Sequence, residues 1–269
     1  MPPISLGQEY INKLINISKN AGDAIMDIYE SEFDVNFKSD QSPLTEADIL
    51  SNKIICQSLK KIAPDVPVLS EESSDIPYEQ RSKWNQYWLI DPLDGTKEFI
   101  KKNGEFTVNI ALIENNTPIF GVINAPALSK TYWGCENLGS FLIDQKLQET
   151  KITVSNKRMG KLRILASRSH PSNDLDTLLN RIGEYELINV GSSLKFCLVA
   201  SGEADCYPRF GPTSEWDTAA GQAILTFAGG GVLTLSNEYL SYNSKESLRN
   251  PSFIADNRKI DLTTYPQKK

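Results

Sequence analysis

Residues 88–99 read WLIDPLDGTKEF. An apolar run ends at Asp91, and Pro92 and Gly95 turn the backbone at once, so Asp91 and Asp94 leave a strand end side by side. Two neighbouring carboxylates repel, and the repulsion needs compensation. A hard divalent cation supplies it: Mg²⁺ favours carboxylate, carbonyl and water oxygens and usually keeps waters and substrate phosphates in its shell. Asp-Gly is also a common turn dipeptide, so D-x-x-D-G-T alone is compatible with a tight turn whose acids are simply solvated.

Two alternatives fail on spacing. An EF-hand loop needs ligands at alternate positions before its glycine and a closing glutamate; here position 92 is proline, and the residue six after Gly95 is Lys101. A phosphatase that works through an aspartyl-phosphate would carry D-x-D-x-T, whereas Asp91 and Asp94 are separated by two residues. That leaves a metal-activated water as the better nucleophile.

Other acids lie outward from this segment. VPVLSEES puts Glu71 and Glu72 directly after a short apolar strand, and SEWDTAAGQAI puts Asp217 at the start of an Ala-rich helix. Each has a plain reading, Glu72 as a solvated neighbour and Asp217 as a first-turn acid stabilised by the helix dipole. Their weight comes from occurring together.

The flanking pattern predicts an α+β half followed by an α/β half. Ile11, Leu14, Ile15, Gly22, Ile25 and Ile28 recur at helical spacing, with Ser5 and Gln8 in a capping-box arrangement. Thr45 caps a second predicted helix that ends at Pro64 and carries Asp48 in its first turn. From Tyr87 to Ile143, the runs YWLID, FTVNIALIE, IFGVINAP, TYWGC and GSFLI suit an antiparallel meander. After residue 160, strands LRILAS, ELINV, ADCYP and GVLTL alternate with helices near 172–182, 193–201 and 215–228. The change of rhythm falls near residue 150, in the polar QKLQETK stretch, which predicts parts 1–150 and 151–269 with a cleft between them.

The chain has 269 residues and no apolar run near the roughly 20 a membrane-spanning helix needs. MPPISLGQEY has neither a basic leader nor an apolar core, so a cytoplasmic protein is expected. His170 is the one histidine, which rules out zinc motifs that need paired imidazoles. Cys56, Cys135, Cys197 and Cys206 are dispersed and read as reduced, buried thiols. A net charge of −6 argues against nucleic-acid binding and superficially against any polyanionic substrate.

Taken together, SPLTEAD, LSEES, WLIDPLDGTKEF and EWDTAAG resemble the inositol-monophosphatase superfamily of Mg²⁺-dependent, lithium-sensitive phosphatases. KEFIKKNGEFTVNIALIENNTPIFGVINAP and GSSLKFCLVASGEADCYPRFGPTSEWDTAAG are similar to its CysQ-type 3′(2′),5′-bisphosphate nucleotidases of sulfur assimilation. The resemblance implies a layered α-β-α-β-α sandwich. It assigns Glu71, Asp91, the Leu93 carbonyl, Asp94 and Asp217 to the metal positions and the water-orienting pair to Asp48 and Thr96. It places Gly95 and Thr96 at the scissile phosphate, and Ser192, Lys195 and Arg209 at the nucleotide and its second phosphate, with His170 near the adenosine.

The implied activity is hydrolysis of the 3′-phosphate of adenosine 3′,5′-bisphosphate to AMP, and of its 5′-phosphosulfate analogue, with about two or three Mg²⁺ ions per site. Rival readings are an inositol or sugar phosphatase of the same superfamily and a noncatalytic nucleotide sensor, against which the intact Asp48 and Thr96 pair argues. The implied partner is a small bisphosphate nucleotide and not nucleic acid. Monomer and homodimer both stay open, as does peripheral contact, without insertion, with the cytoplasmic face of the inner membrane.

Overall fold

The computed structural model describes residue 4 and residues 6–32, 35–37, 43–156, 161–168, 173–182 and 184–259. Helix α1 (Gln8–Tyr29) precedes a small ribbon, β1 (Val35–Phe37) with β2 (Pro43–Thr45), and helix α2 (Glu46–Ile62). Next come β3 (Val68–Ser70), the short helix α3 (Tyr78–Arg81), β4 (Gln86–Asp94), the short helix α4 (Thr96–Ile100), β5 (Thr107–Glu114), β6 (Thr117–Ala125), β7 (Lys130–Cys135), β8 (Gly139–Ile143) and β9 (Glu149–Ile152). The later part is β10 (Leu162–Ser167), α5 (Asn173–Ile182), β11 (Tyr185–Val190), α6 (Leu194–Ala200), β12 (Cys206–Arg209), α7 (Glu215–Phe227), β13 (Gly231–Thr234) and β14 (Phe253–Asp256).

The meander expected from the alternating runs is the seven-stranded sheet β3-β4-β5-β6-β7-β8-β9, antiparallel throughout except for the parallel pair β3 and β4. The second sheet has the order β11-β10-β12-β14-β13. Its β10, β11 and β12 are parallel, as the alternation with helices requires, but β14 inserts antiparallel between β12 and β13. The FIAD segment is too short to have a readable period, and only its pairing defines it as a strand.

The layers follow from which faces are apolar. Ile11, Leu14 and Ile25 of α1 and Ile55 and Leu59 of α2 meet Trp88, Ile90, Val108 and Ile110 on one face of the large sheet. The opposite face, with Leu89, Ala111 and Ile123, packs on Phe196 of α6 and Ala220 and Ile224 of α7, and these helices in turn cover Tyr207, Val232 and Phe253 of the second sheet. Leu175 and Leu179 of α5 close the far side against Leu162, Ile164 and Cys206. The result is the expected α-β-α-β-α sandwich, with α6 and α7 as its central layer.

One local expectation is corrected: helix α1 starts at Gln8 with Gly7, not Ser5, as its N-cap, and Ser5 lies outside the described residues. Within the polar stretch near residue 150, ETKI forms edge strand β9, paired antiparallel with β8, where charged side chains on one face protect a free sheet edge. Among the described residues, no helix is long and apolar enough to cross a membrane.

Helix α7 can lie so close to the large sheet because its sequence WDTAAGQAI presents small side chains. A Cβ at Gly121 of β6 would meet the Ala220 carbonyl oxygen and lie 2.8 Å from the Ala220 Cα. Gly121→Ala is therefore expected to cost about 1–3 kcal/mol through overpacking. Thermal unfolding should show a lower Tm.

Candidate active site

Four segments converge at one end of the central layer. The pairing of β4 with β5 shifts between Asp91 and Asp94, so both acids emerge at an irregularity instead of alternating along a regular strand. Gly95 follows at φ +92°, a left-handed conformation that frees the chain to start α4 at Thr96. A side chain there would lie 3.1 Å from the Glu105 carbonyl oxygen and 3.2 Å from Ser192 Cβ. The parallel register of β3 and β4 sets Ser70 beside Ile90, which carries the next residue, Glu71, alongside Asp91.

The remaining two acids come from helix starts of the same design. Thr45-Glu-Ala-Asp48 and Ser214-Glu-Trp-Asp217 both form capping boxes in which the N3 aspartate accepts the N-cap N–H, at 2.7 Å for Asp48 and 2.8 Å for Asp217. The Thr45 cap is legible in sequence, and the Ser214 cap has the same spacing. Asp48 is 2% exposed. Its Oδ2 is engaged by the N–H and hydroxyl of Thr45, and its Oδ1 lies 3.2 Å from Thr96 Oγ1. The Thr96 hydroxyl also reaches the Leu93 carbonyl at 3.4 Å, the weaker of two options for its single proton.

A cavity of about 320 Å³ collects these groups. Glu71, Asp91, Leu93, Asp94, Gly95, Thr96 and Asp217 line it together with Ser192, Lys195 and Arg209. Asp48 stands behind Thr96, and His170 lies outside the described residues. Within the cavity, Glu71, Asp91 and Asp217 each bring a carboxylate oxygen within 4.8 Å of the others. The set is all oxygen and largely buried, the donor chemistry of a hard divalent cation. Asp94 belongs to the cavity but not to that tight triplet, and its neighbours include Lys195 and the Ser193 N–H.

The electrostatics show the strain of this crowding. Burial, followed by the charges of Glu71, Asp94, Asp217 and Asp48, holds the Asp91 carboxyl well above its ordinary value. Burial and the Asp94 charge push Asp217 up to about 8. Asp94 is pushed up to about 6 by burial, with Lys195 and the Ser193 N–H pulling the other way.

The cationic side is equally buried. Lys195 Nζ donates to the carbonyls of Val190 at 3.1 Å and Ser192 at 2.5 Å, and burial lowers its pKa to about 8 against the pull of Asp94. Arg209 donates to the Pro212 carbonyl at 2.8 Å, while its Nε is buried with no partner among the described residues. Ser192 has φ +45° and a buried, unpartnered hydroxyl. A left-handed non-glycine residue costs on the order of 1–3 kcal/mol and persists only where its surroundings impose it.

Other lining residues had no sequence signal of their own. Tyr207, Trp216 and Ser167 sit within ordinary-looking elements, and Arg249 is brought to the rim by the bridge between residues 214 and 249. Ser193 joins Thr107 at 2.8 Å and Asn109 at 2.7 Å in a buried hydroxyl-amide chain. These contacts span dozens of residues, and only the folded chain makes them.

The chain belongs to the inositol monophosphatase family, whose model matches residues 7–267. It is 47% identical over 246 residues to the 3′(2′),5′-bisphosphate nucleotidase CysQ of Escherichia coli K12, covering 90% of this chain and 98% of that protein. The CysQ of Salmonella typhimurium is 46% identical over 245 residues, with the same coverage. Among solved structures, CysQ from Bacteroides thetaiotaomicron superposes with a TM-score of 0.82 at 41% identity, covering 93% of this chain and 97% of that one. The Thermotoga maritima inositol monophosphatase superposes with a TM-score of 0.77 at 25% identity, covering 93% and 92%.

Raised carboxyl pKa values mean that the folded state holds protons the unfolded chain would release. Stability from this source is present at low pH and is lost as pH rises from the ordinary aspartate value through about 6 for Asp94 and about 8 for Asp217. Asp217→Asn removes the charge and keeps an oxygen for the Ser214 N–H. Metal-free, it should melt a few degrees above the parent at about pH 8 and near it at about pH 5, where about 2–4 °C corresponds to 1 kcal/mol.

Proposed function

We propose that this chain is a 3′(2′),5′-bisphosphate nucleotidase that hydrolyses the 3′-phosphate of adenosine 3′,5′-bisphosphate to give AMP and phosphate, and acts on its 5′-phosphosulfate analogue. The observation that carries the reading is the make-up of this cavity. A crowded set of carboxylates shares it with buried donors, Arg209 Nε and Ser192 Oγ, that have no partner among the described residues. Buried polar groups are almost always satisfied, so these donors call for acceptor oxygens from outside the chain. A substrate with two phosphates meets both requirements, one phosphate at the acidic end and one at the cationic end. The high identity to CysQ nucleotidases supports the same substrate class.

Glu71, Asp91, Asp94, Asp217 and the Leu93 carbonyl would hold Mg²⁺. When bound, the metal lowers the pKa of water and neutralises charge on the transferring phosphate. The chain supplies the rest. Thr96, whose hydroxyl donates to Asp48 Oδ1, orients the attacking water and relays its proton to that carboxylate, whose Oδ2 is held by the helix cap. A positioned relay of this kind contributes typically about 10²–10⁴-fold. The backbone N–H groups of Gly95 and Thr96 hold the scissile phosphate. Lys195 supplies point charge and Arg209 a planar fork for the second phosphate. His170 is assigned near the adenosine on the family pattern alone.

Phosphate release from a panel of adenosine 3′,5′-bisphosphate, its phosphosulfate analogue, inositol 1-phosphate and fructose 1,6-bisphosphate, with and without Mg²⁺, tests the reading. The two nucleotides should dominate, and EDTA, Ca²⁺ and lithium should suppress turnover. Preference for inositol 1-phosphate or the sugar bisphosphate would replace the assignment with that of a sibling phosphatase. Asp94→Asn should abolish turnover with little loss of folding, and Arg209→Ala should lower kcat/KM for the nucleotide far more than for inositol 1-phosphate.

A further inference from the structure

Resting on the nucleotidase reading, the geometry assigns Glu105 as a positioning residue for nucleotide specificity. Its carboxylate, held by Arg168, fixes the turn at residues 189–192 that presents Ser192 and Lys195 to the second phosphate.

Four consecutive backbone groups of that turn are gripped by side chains from three different segments. Arg168 donates to the Asn189 carbonyl at 2.7 Å. Lys195 donates to the carbonyls of Val190 and Ser192. Glu105 Oε2 accepts the Gly191 N–H at 2.8 Å. Of these three side chains only Glu105 accepts, and it holds the residue directly before left-handed Ser192. Its own N–H is tied to Asn103 Oδ1 at 2.9 Å, and its carbonyl oxygen packs where a Gly95 side chain would otherwise sit. One residue thus couples the Asp94-Gly95-Thr96 turn of the first sheet to the Gly191-Ser192 turn of the second.

Arg168 completes the clasp. Its Nε and terminal nitrogen bond Glu105 in a two-point fork at 2.9 and 2.7 Å. Burial alone would raise the Glu105 pKa, but Arg168 and the Gly191 N–H outweigh it and hold the carboxyl below its ordinary value, so it acts as a charged acceptor. Neither residue lines the cavity. They shape the phosphate site without touching its occupant, and the fork geometry makes Arg168 poorly replaceable by lysine. Without the clasp, no other group among the described residues holds the Gly191 N–H, and Ser192 can leave its strained conformation.

The test compares wild type with Glu105→Ala, Glu105→Gln, Arg168→Ala and the Glu105→Ala/Arg168→Ala double variant. The readouts are Tm, kcat and KM on adenosine 3′,5′-bisphosphate and inositol 1-phosphate, and AMP affinity by calorimetry. Glu105→Ala should raise KM for the bisphosphate at least tenfold, weaken AMP binding similarly, and lower kcat by less than threefold. The loss in kcat/KM should be at least tenfold larger for the nucleotide than for inositol 1-phosphate. Glu105→Gln, which retains an acceptor for Gly191, should recover most of the affinity. The double variant should bind AMP no worse than Glu105→Ala, because Arg168 acts through Glu105.

Equal losses on both substrates, or losses that follow Tm alone across the variants, would overturn the inference, as would additive effects in the double variant, which would put Arg168 in direct contact with the ligand. If Glu105→Ala fails to fold, Glu105→Gln against Arg168→Ala decides on the same AMP readout, and equal affinities in the two would overturn it. A wild-type enzyme with no preference for the bisphosphate nucleotide would sink the nucleotidase reading and the inference with it. Wild-type preference that survives intact in Glu105→Ala would sink the inference alone.

Discussion

Like charges forced together in a place with little water dominate this molecule. Glu71, Asp91 and Asp217 bring oxygens within 4.8 Å of one another, and burial raises the cost of ionising Asp91 and Asp217. A fold optimised only for stability would not assemble such a group. The surrounding architecture is best understood as what it takes to hold it: two sheets, a central helix layer close enough to deliver Asp217, and a strand irregularity that releases Asp91 and Asp94 at once.

The two capping boxes show how the tension is spread. In α2 and α7 the same N3 aspartate satisfies its helix start and faces the site, so the local geometry of each helix sets the aim of a functional carboxylate. An oxygen committed to a cap has little freedom to rotate away from its neighbours. Rigidity comes from hydrogen bonds that each helix needs in any case, and the site adds only charge to them. On the opposite wall, the strained turn at Ser192 is likewise held by side chains from elements distant in sequence.

Much of the architecture is legible in the chain because period and burial agree. The meander of β4 to β8 alternates turn residues with β-rich runs, α1 has a clear apolar stripe, and α7 is Ala-rich because it must approach both sheets. Readings fail where the local signal is weak or ambiguous. The ETKI edge strand lies in a polar stretch with no alternating signal, FIAD is too short to show a period, and α1 takes Gly7 in place of Ser5 as its N-cap. The net charge of −6 misleads for a different reason: several of those acids form a cation-seeking cluster, so charge averaged over the chain says little about what the cavity attracts.

Residue order by itself determined which chemistry is available. A strand ending in D-P-L-D-G-T, acids at two helix starts and a single histidine point to oxygen ligands for a hard cation, and the family resemblance adds the pairing of Asp48 with Thr96. Tertiary structure alone decided which groups meet. Parallel pairing of β3 with β4 brings Glu71 to Asp91, the sandwich brings Asp217 across from the later part of the chain, and Asp94 faces Lys195 and stands outside the tight triplet. The Glu105, Arg168 and Gly191 contacts span as many as 86 positions. The physical reason is that charge interactions and hydrogen bonds depend on distance through space, and separation along the chain carries almost no information about that distance until the sheets have formed.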